Sequence, residues 1–239
     1  MTTMDIEADI EDRQSLRIAS AAWAIAAKDL RIELRGRYAL VSVLPFAATM
    51  LLAFGFSLGP GRTLLVQTAP GLLWLAALFA AMELFHRSYQ AEADGGALEG
   101  LLLAPVDKGA IYLGKALAAA VQLLVLFAAT TALVVLLFGL PIGPRPGLLA
   151  LTMLLGTVGL AALGSLLGLL SVAARSRQAA LPLLVLPLVS PVLIAAIQAT
   201  TLLSTGSTAQ VGGWLGLLVA FDAVFLATGF LVFAHLLED

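Results

Sequence analysis

The sequence predicts an all-α membrane protein, in which six transmembrane helices follow an N-terminal amphipathic interfacial helix. Of the 239 residues, 61% are hydrophobic and only 12% are charged, and the mean hydropathy is +1.02. A soluble domain of this size carries about 25% charged residues. The net charge of −2 gives no indication of a nucleic-acid partner, and the lack of cysteine excludes disulfides and thiolate metal sites.

A helix that crosses the hydrocarbon core of a bilayer needs roughly 20 mainly apolar residues. Six segments meet this requirement, at about 38–58, 64–85, 116–138, 147–173, 179–203 and 212–237. Short breaks separate most of them, but the polar segment 86–115 between the second and third spans is much longer. We therefore predict a permease domain over 38–239 with a loop at 86–115.

Lysine and arginine are unevenly distributed between the predicted loops. Eleven of the 13 lie in 1–37, 86–115 and 174–178, whereas the alternate loops contain only Arg62 and Arg145. Cytoplasmic loops of membrane proteins carry an excess of these residues. The distribution therefore predicts that both termini lie in the cytoplasm.

The segment before the first span divides into two parts. Residues 1–15 are rich in aspartate and glutamate and are predicted to be a disordered acidic tail. Residues 16–37 predict an amphipathic helix with Leu16, Trp23, Leu30 and Leu34 on one face and basic residues beside it. Such a helix lies in the membrane interface. Packing against a soluble partner is the alternative.

The motifs of common enzymes are absent or incomplete. Residues 109–116 match G-x-x-x-x-G-K, but Ala116 stands where a P-loop needs the hydroxyl group that holds Mg²⁺. The stretch also runs directly into a predicted span. His86 and His235 are isolated, and we favour interfacial hydrogen bonding over haem ligation for both. The sequence predicts a non-catalytic chain with no directly bound cofactor or metal ion.

Two patterns within the spans concern helix packing. Gly164 and Gly168 form a G-x-x-x-G motif, which permits close approach of two helix backbones. Pro182, Pro187 and Pro191 interrupt the fifth span and are candidate helix-breaking or gating residues. Such breaks are tolerated where protein or water binds the freed carbonyl groups.

Asp222 is the ionisable residue placed deepest in a predicted span, near the middle of the sixth. A bare carboxylate is costly there, so the group should be protonated, paired or next to water. We favour a polar contact with a threonine or glutamine of another helix. A proton relay or a substrate contact is the alternative.

The loop 86–115 contains a candidate docking element. Asp94 and Gly95 indicate a turn, and a short helix with leucines on one side then runs to Pro105. A cytoplasmic amphipathic stub of this kind fits a groove of a soluble partner. A position on the membrane surface is the alternative.

Two motifs resemble the cytochrome c maturation protein B family (CcmB). The loop contains Glu92-x-Asp94-Gly95-x-x-Leu98-Glu99-x-Leu101-Leu102-Leu103-x-Pro105, followed by Lys115-Ala116-Leu117. The fifth span contains Leu181-Pro182-Leu-Leu-Val-Leu-Pro187 and then Pro191. The amphipathic N-terminal helix and the six spans are also similar to this family, so the resemblance covers nearly the whole chain.

The resemblance implies a permease subunit of the ABC-2 exporter type in the bacterial inner membrane. Such a subunit works as a homodimer with a CcmA-like ATPase, which binds Mg-ATP, and beside CcmC- and CcmD-like proteins. The complex supports haem delivery to, or release of, a CcmE-like periplasmic chaperone, with haem as the cargo. The implied coupling residues are Glu92, Asp94, Gly95, Leu98, Glu99, Leu101, Leu102, Pro105 and Lys115.

Three other functions remain open at this point. The first is an ABC-2 permease for another cargo, such as a drug, a lipid or a polysaccharide. The second is an ATP-independent secondary carrier, for which Asp222 is the only candidate site near the membrane midplane. The third is an assembly scaffold that transports nothing.

Overall fold

The computed structural model describes residues 3–94, 106–173 and 181–236. Within them the chain forms seven α-helices and a π-helical turn, Ala39–Val43, that leads into the second helix. The helices are α1 (Thr3–Gly36), α2 (Leu44–Leu58), α3 (Arg62–Asp94), α4 (Lys108–Phe138), α5 (Pro146–Ala173), α6 (Leu181–Ser204) and α7 (Val211–Leu236).

Among the residues that the structure describes, six helices are long and apolar enough to cross a membrane, which confirms the predicted number of spans. Their apolar windows are Val41–Leu58, Arg62–Phe85, Lys108–Phe138, Pro146–Gly168, Leu186–Ser204 and Val211–Phe233. The third window begins earlier than predicted because Asp107 caps the helix. Its Oδ1 atom accepts a hydrogen bond from the Gly109 amide at 2.8 Å, which satisfies an N–H group that has no partner within the helix.

The loop predicted at 86–115 is shortened from both sides. Residues 86–94 contain neither glycine nor proline, and α3 continues through them to Asp94. On the other side α4 begins at Lys108, so Lys115 is a helical residue and not part of a loop. Residues 95–105, with most of the predicted docking element, lie outside the described residues.

The first helix also starts earlier than predicted. α1 begins at Thr3, so the backbone is helical in most of the segment for which we predicted a disordered tail. Acidic residues are favourable in the first turns of a helix because they face the positive end of its dipole. The same acidic residues that suggested a solvated tail therefore also favour a helix.

Two faces of α1 have different surroundings. Ala22, Ile25 and Ala26 are buried, and α1 packs mainly on α4. Leu16, Trp23 and Leu34, on the face predicted to meet the membrane, are exposed. No part of the described chain covers that face, and its contact with lipid stays a prediction.

The bundle core lies where α3, α4 and α5 pack together, with α6 and α7 against α5. Its largest fully buried side chains include Trp74, Tyr112 and Phe233. Gly139 ends α4 in the left-handed conformation with φ 68°, which glycine adopts without a steric penalty. In the core, these three aromatic side chains lie between helices that are otherwise rich in alanine and leucine.

The prolines of α6 do not interrupt it, although we predicted a broken helix. Pro182 lies in the first turn, where no intrahelical donor is lost. Pro191 has no N–H group for the Pro187 carbonyl oxygen, and Ser190 Oγ donates a hydrogen bond to that oxygen at 2.8 Å. The freed carbonyl is thus satisfied within the helix itself.

Candidate functional site

The first two turns of α4 hold several helices together. We call Gly109, Tyr112, Gly114 and Lys115 the α4 base; it follows the segment 95–105 in the chain. A Cβ atom at Gly109 would collide with the Phe230 ring of α7. The α4 base therefore meets α7 at van der Waals contact as soon as α4 begins.

Tyr112 connects the α4 base to two further helices. Its side chain is fully buried, and its Oη atom lies 3.0 Å from the Ala162 carbonyl oxygen of α5 and 3.1 Å from that of Phe225 in α7. The phenol has one hydrogen to donate, so the two carbonyl groups share it. Gly229 leaves room for the ring, because a Cβ atom there would overlap it.

Lys115 connects the α4 base to α1 through charge. The Lys115 side chain is only 5% exposed, and its Nζ atom lies 3.7 Å from Oδ2 of Asp29. The other carboxylate oxygen of Asp29 lies 3.1 Å from Nζ of Lys28. Lys115 was predicted to belong to the coupling loop, but its ion pair is made with α1.

Gly114 sets the distance between α1 and α4. A Cβ atom at Gly114 would lie 2.6 Å from the Ala22 carbonyl oxygen and 2.8 Å from Cβ of Ile25. Beside this contact a cavity of about 20 Å³ is lined by polar groups that include Asp29, Lys115, Gln122 and Ser165. That volume is sufficient for one water molecule.

Three glycines of α5 accept side chains from two other helices, α3 and α7. Gly156 faces the Trp74 ring, Gly159 faces the Asp222 carboxyl group, and Gly164 faces the Phe85 ring. The G-x-x-x-G motif predicted a close backbone contact at Gly164, but what the structure places there is an aromatic ring. Gly168 is only partly buried.

Trp74 forms a polar contact in the bundle core that sequence analysis missed. Its Nε1 atom donates to Oγ1 of Thr200 at 2.9 Å, and the Thr200 hydroxyl donates to the Ala196 carbonyl oxygen at 2.7 Å. The Trp74 and Phe127 ring centroids are 4.5 Å apart. The sequence feature that could have predicted this contact is a tryptophan in the middle of a span, because a buried indole N–H group needs a hydrogen-bond acceptor.

Asp222 lies on the buried face of α7 with 6% of its surface exposed. A Cβ atom at Gly159 would lie 2.7 Å from Oδ1 of Asp222. The side chain of Val192 lies near the same point of Gly159. Within the described residues neither carboxyl oxygen has a hydrogen-bond partner. The predicted contact with threonine or glutamine is therefore absent from that part of the chain.

Comparison with known proteins identifies the family of the chain. A sequence profile described as CcmB protein matches residues 20–238. The chain belongs to the CcmB family. The match begins within α1 and extends through α7, so the α4 base and Asp222 lie inside the CcmB region. The resemblance seen in the sequence is thereby confirmed.

Three CcmB relatives share the name heme exporter protein B. The protein of Pseudomonas aeruginosa is 33% identical over 170 residues, covering 71% of this chain and 76% of the relative. That of Bradyrhizobium diazoefficiens is 32% identical over 215 residues, covering 88% and 94%. That of Haemophilus influenzae is 32% identical over 196 residues, covering 82% and 87%.

The predicted coupling residues of this CcmB chain lie in α3, in α4 and in the segment 95–105. Glu92 and Asp94 lie in the last turn of α3, of which the structure describes the backbone. The remainder, apart from Lys115, lie outside the described residues and are Gly95, Leu98, Glu99, Leu101, Leu102 and Pro105. Their role as a docking element stays a prediction.

Proposed function

We propose that this chain is the permease subunit of an ATP-binding-cassette complex that handles haem during cytochrome c maturation. The observation that carries the proposal is the CcmB match over 20–238, together with relatives named heme exporter protein B. Mg-ATP binds to a CcmA-like partner, and this chain contributes no catalytic residue. Because six spans make only half of the membrane core of such a transporter, the chain acts as a homodimer.

The segment 92–105 receives the partner ATPase. α3 has 33 residues, which corresponds to a length of about 50 Å against a hydrocarbon core of about 30 Å. Its apolar window ends at Phe85, and 86–94 extend the helix by roughly 13 Å beyond that point. This extension supports the proposal because α3 ends at Asp94, beyond its apolar window, where a soluble protein could reach it.

The remaining partners follow from the same proposal. With both termini in the cytoplasm of a bacterial cell, 92–105 faces the ATPase, and the opposite ends of the spans face the periplasm. CcmC- and CcmD-like proteins lie beside the bundle, and a CcmE-like chaperone receives haem on the periplasmic side. α1 lies along the cytoplasmic interface with its exposed face, which includes Trp23, against lipid.

Replacing two leucines of 92–105 tests the coupling role. Leu98→Ala with Leu102→Ala removes apolar anchors, and truncating a buried anchor commonly costs about 2 kcal/mol or more. We expect the double variant to insert into the membrane at wild-type levels but to retain little ATPase in a pull-down. The matched control is Leu136→Ala with Leu137→Ala, two exposed leucines at the other end of α4. If the 98/102 variant captures as much ATPase as the control, the coupling assignment is wrong.

The carboxylates of the same segment give a second, independent test. Glu92→Lys with Glu99→Lys places positive charge where acidic residues would orient the segment against a basic partner surface. We expect weaker ATPase binding at low ionic strength and a smaller difference from wild type in high salt, because salt screens exposed charges. Equal capture at every salt concentration would remove the electrostatic part of the proposal.

A secondary carrier is the second candidate, and the buried Asp222 without a described partner favours it. Asp222→Asn keeps the size of the side chain and removes its ability to ionise. If a partner ATPase supplies the energy, we expect this variant to keep at least about half of the wild-type rate of cytochrome c formation. Loss of that activity with full retention of the ATPase would favour a carrier driven by protons or cations.

A further inference from the structure

α1 is connected to the rest of the chain at two places. The covalent connection runs through Arg37, a non-glycine residue with φ 50°, and then through the π-helical turn Ala39–Val43. The non-covalent connection is the contact with α4, against which α1 mainly packs. The position of α1 therefore depends strongly on how firmly it is attached to α4.

The ion pair is the strongest candidate for that attachment. Lys115 is 5% exposed and cannot turn its ammonium group to solvent, whereas Lys28 is 45% exposed and can. Removing one member of a buried ion pair takes away the attraction between the two helices and is destabilising. Asp29 is thus the α1 residue that joins this helix to Lys115 by charge.

The geometry around the pair limits sliding between the two helices. At Gly114 the α1 backbone comes so close that even a methyl group would displace it. Two residues earlier, Tyr112 ties the same part of α4 to α5 and α7. Any displacement of the α4 base is consequently passed to its neighbours, and to α1 through Gly114 and Lys115.

We propose that Asp29 is a positioning residue that fixes α1 to the α4 base through Lys115, so that α1 moves together with α4. The proposed function enters only as the source of the displacement, which is the docking of an ATPase at 92–105. The attachment itself belongs to the isolated chain and can be tested without any partner.

The chain contains no cysteine, so a single introduced thiol reports the attachment directly. Ala26→Cys puts a thiol at a position that is 1% exposed against α4, and Ala24→Cys puts one at an exposed position of the same helix. In the detergent-solubilised full chain, we expect the thiol at 26 to react with a maleimide much more slowly than the thiol at 24. Asp29→Ala should raise the rate at 26 by about tenfold or more and leave the rate at 24 unchanged.

Two further variants make the result specific to the ion pair. Asp29→Lys with Lys115→Asp restores opposite charges with exchanged positions, and it should recover a large part of the protection at 26. Gly114→Ala displaces α1 by sterics and should expose the thiol at 26 with the ion-pair residues unchanged. If Asp29→Ala leaves the thiol at 26 as protected as in the parent, the proposal is overturned.

The functional arm uses the whole complex and distinguishes this inference from the proposed function. We expect the Asp29→Ala variant to capture its ATPase through the unaltered segment 92–105. The complex with this variant should yield less mature cytochrome c per ATP hydrolysed. The charge-exchange variant should restore part of that yield. Exposure of the thiol at 26 with an unchanged yield would overturn the transmission role of α1. Failure of the unmodified chain to capture any ATPase would instead overturn the proposed function and leave the thiol result standing.

Discussion

At the scale of single residues, Tyr112 combines a hydrogen bond and a packed ring, and the two contributions can be separated. Tyr112→Phe removes the donor shared by the Ala162 and Phe225 carbonyl groups and keeps the ring against Gly229. Hydrogen bonds between membrane helices average about 0.6 kcal/mol. We therefore expect the free energy of unfolding, measured in detergent or bicelles, to fall by less than about 1.5 kcal/mol.

Tyr112→Leu should be much more destabilising, because it also removes the ring contacts with Gly229 and Phe233. Large-to-small changes in a packed core cost about 2 kcal/mol or more. Equal losses for the phenylalanine and leucine variants would show that the hydroxyl group, and not the ring, holds the α4 base to α7.

The glycines of α5 give a second prediction at the residue scale. Gly164→Ala would place a methyl group in the Phe85 ring, and we expect a destabilisation of about 1–3 kcal/mol in the same unfolding measurement. The control is Gly71→Ala in α3, where nothing lies near the added atom. Alanine is the better helix former, so the control should be neutral or slightly stabilising. A neutral Gly164→Ala variant would mean that Phe85 can move aside freely.

At the scale of helices, the sequence predicted which segments are helical better than where they end. Apolar length alone identifies six spans, because backbone groups in a lipid core must be bonded within a helix. The ends depend on local chemistry that length does not capture. Asp107 caps α4, which begins at Lys108, eight residues before the predicted start of the span. Residues 86–94 contain neither glycine nor proline and let α3 continue to Asp94.

The contacts between helices were less predictable than the helices. Ser190 compensates for Pro191 through a hydrogen bond that can be anticipated only if the side chain is known to turn back onto Pro187. Asp29 and Lys115 are 86 positions apart and sit in segments with different predicted roles. Predicting an ion pair of this kind requires knowledge of how α1 lies on α4. Hydrophobic periodicity does not provide that knowledge.

At the scale of the whole molecule, the distribution of lysine and arginine predicts the orientation of the bundle. Ile142 lies between α4 and α5 and is 49% exposed, so Ile142→Cys should be accessible from the periplasm. Gln178→Cys lies in the loop predicted to be cytoplasmic. We expect a membrane-impermeant maleimide added to intact cells to label 142 and not 178. Labelling of 178 alone would reverse the proposed orientation.

Haem handling by the complex should not depend on a histidine pair within this chain. His86 and His235 are the only histidines, and they lie in α3 and α7. We expect His86→Ala with His235→Ala to leave the haem content of the purified complex, measured from its absorption spectrum, largely unchanged. Complete loss of haem from this variant would show that one of the two histidines is an axial ligand.

The placement of the three tryptophans has an optical consequence. Trp23 is 68% exposed on α1, Trp74 is fully buried and hydrogen-bonded to Thr200, and Trp214 is half-buried near the start of α7. Chains that keep one indole and carry phenylalanine at the other two positions would therefore emit from three different environments. Brominated lipids should quench Trp23 strongly and Trp74 weakly. If the proposed ATPase drives the complex, a change in Trp23 emission that precedes any change in Trp74 emission after ATP is added would show that α1 moves before the bundle core does.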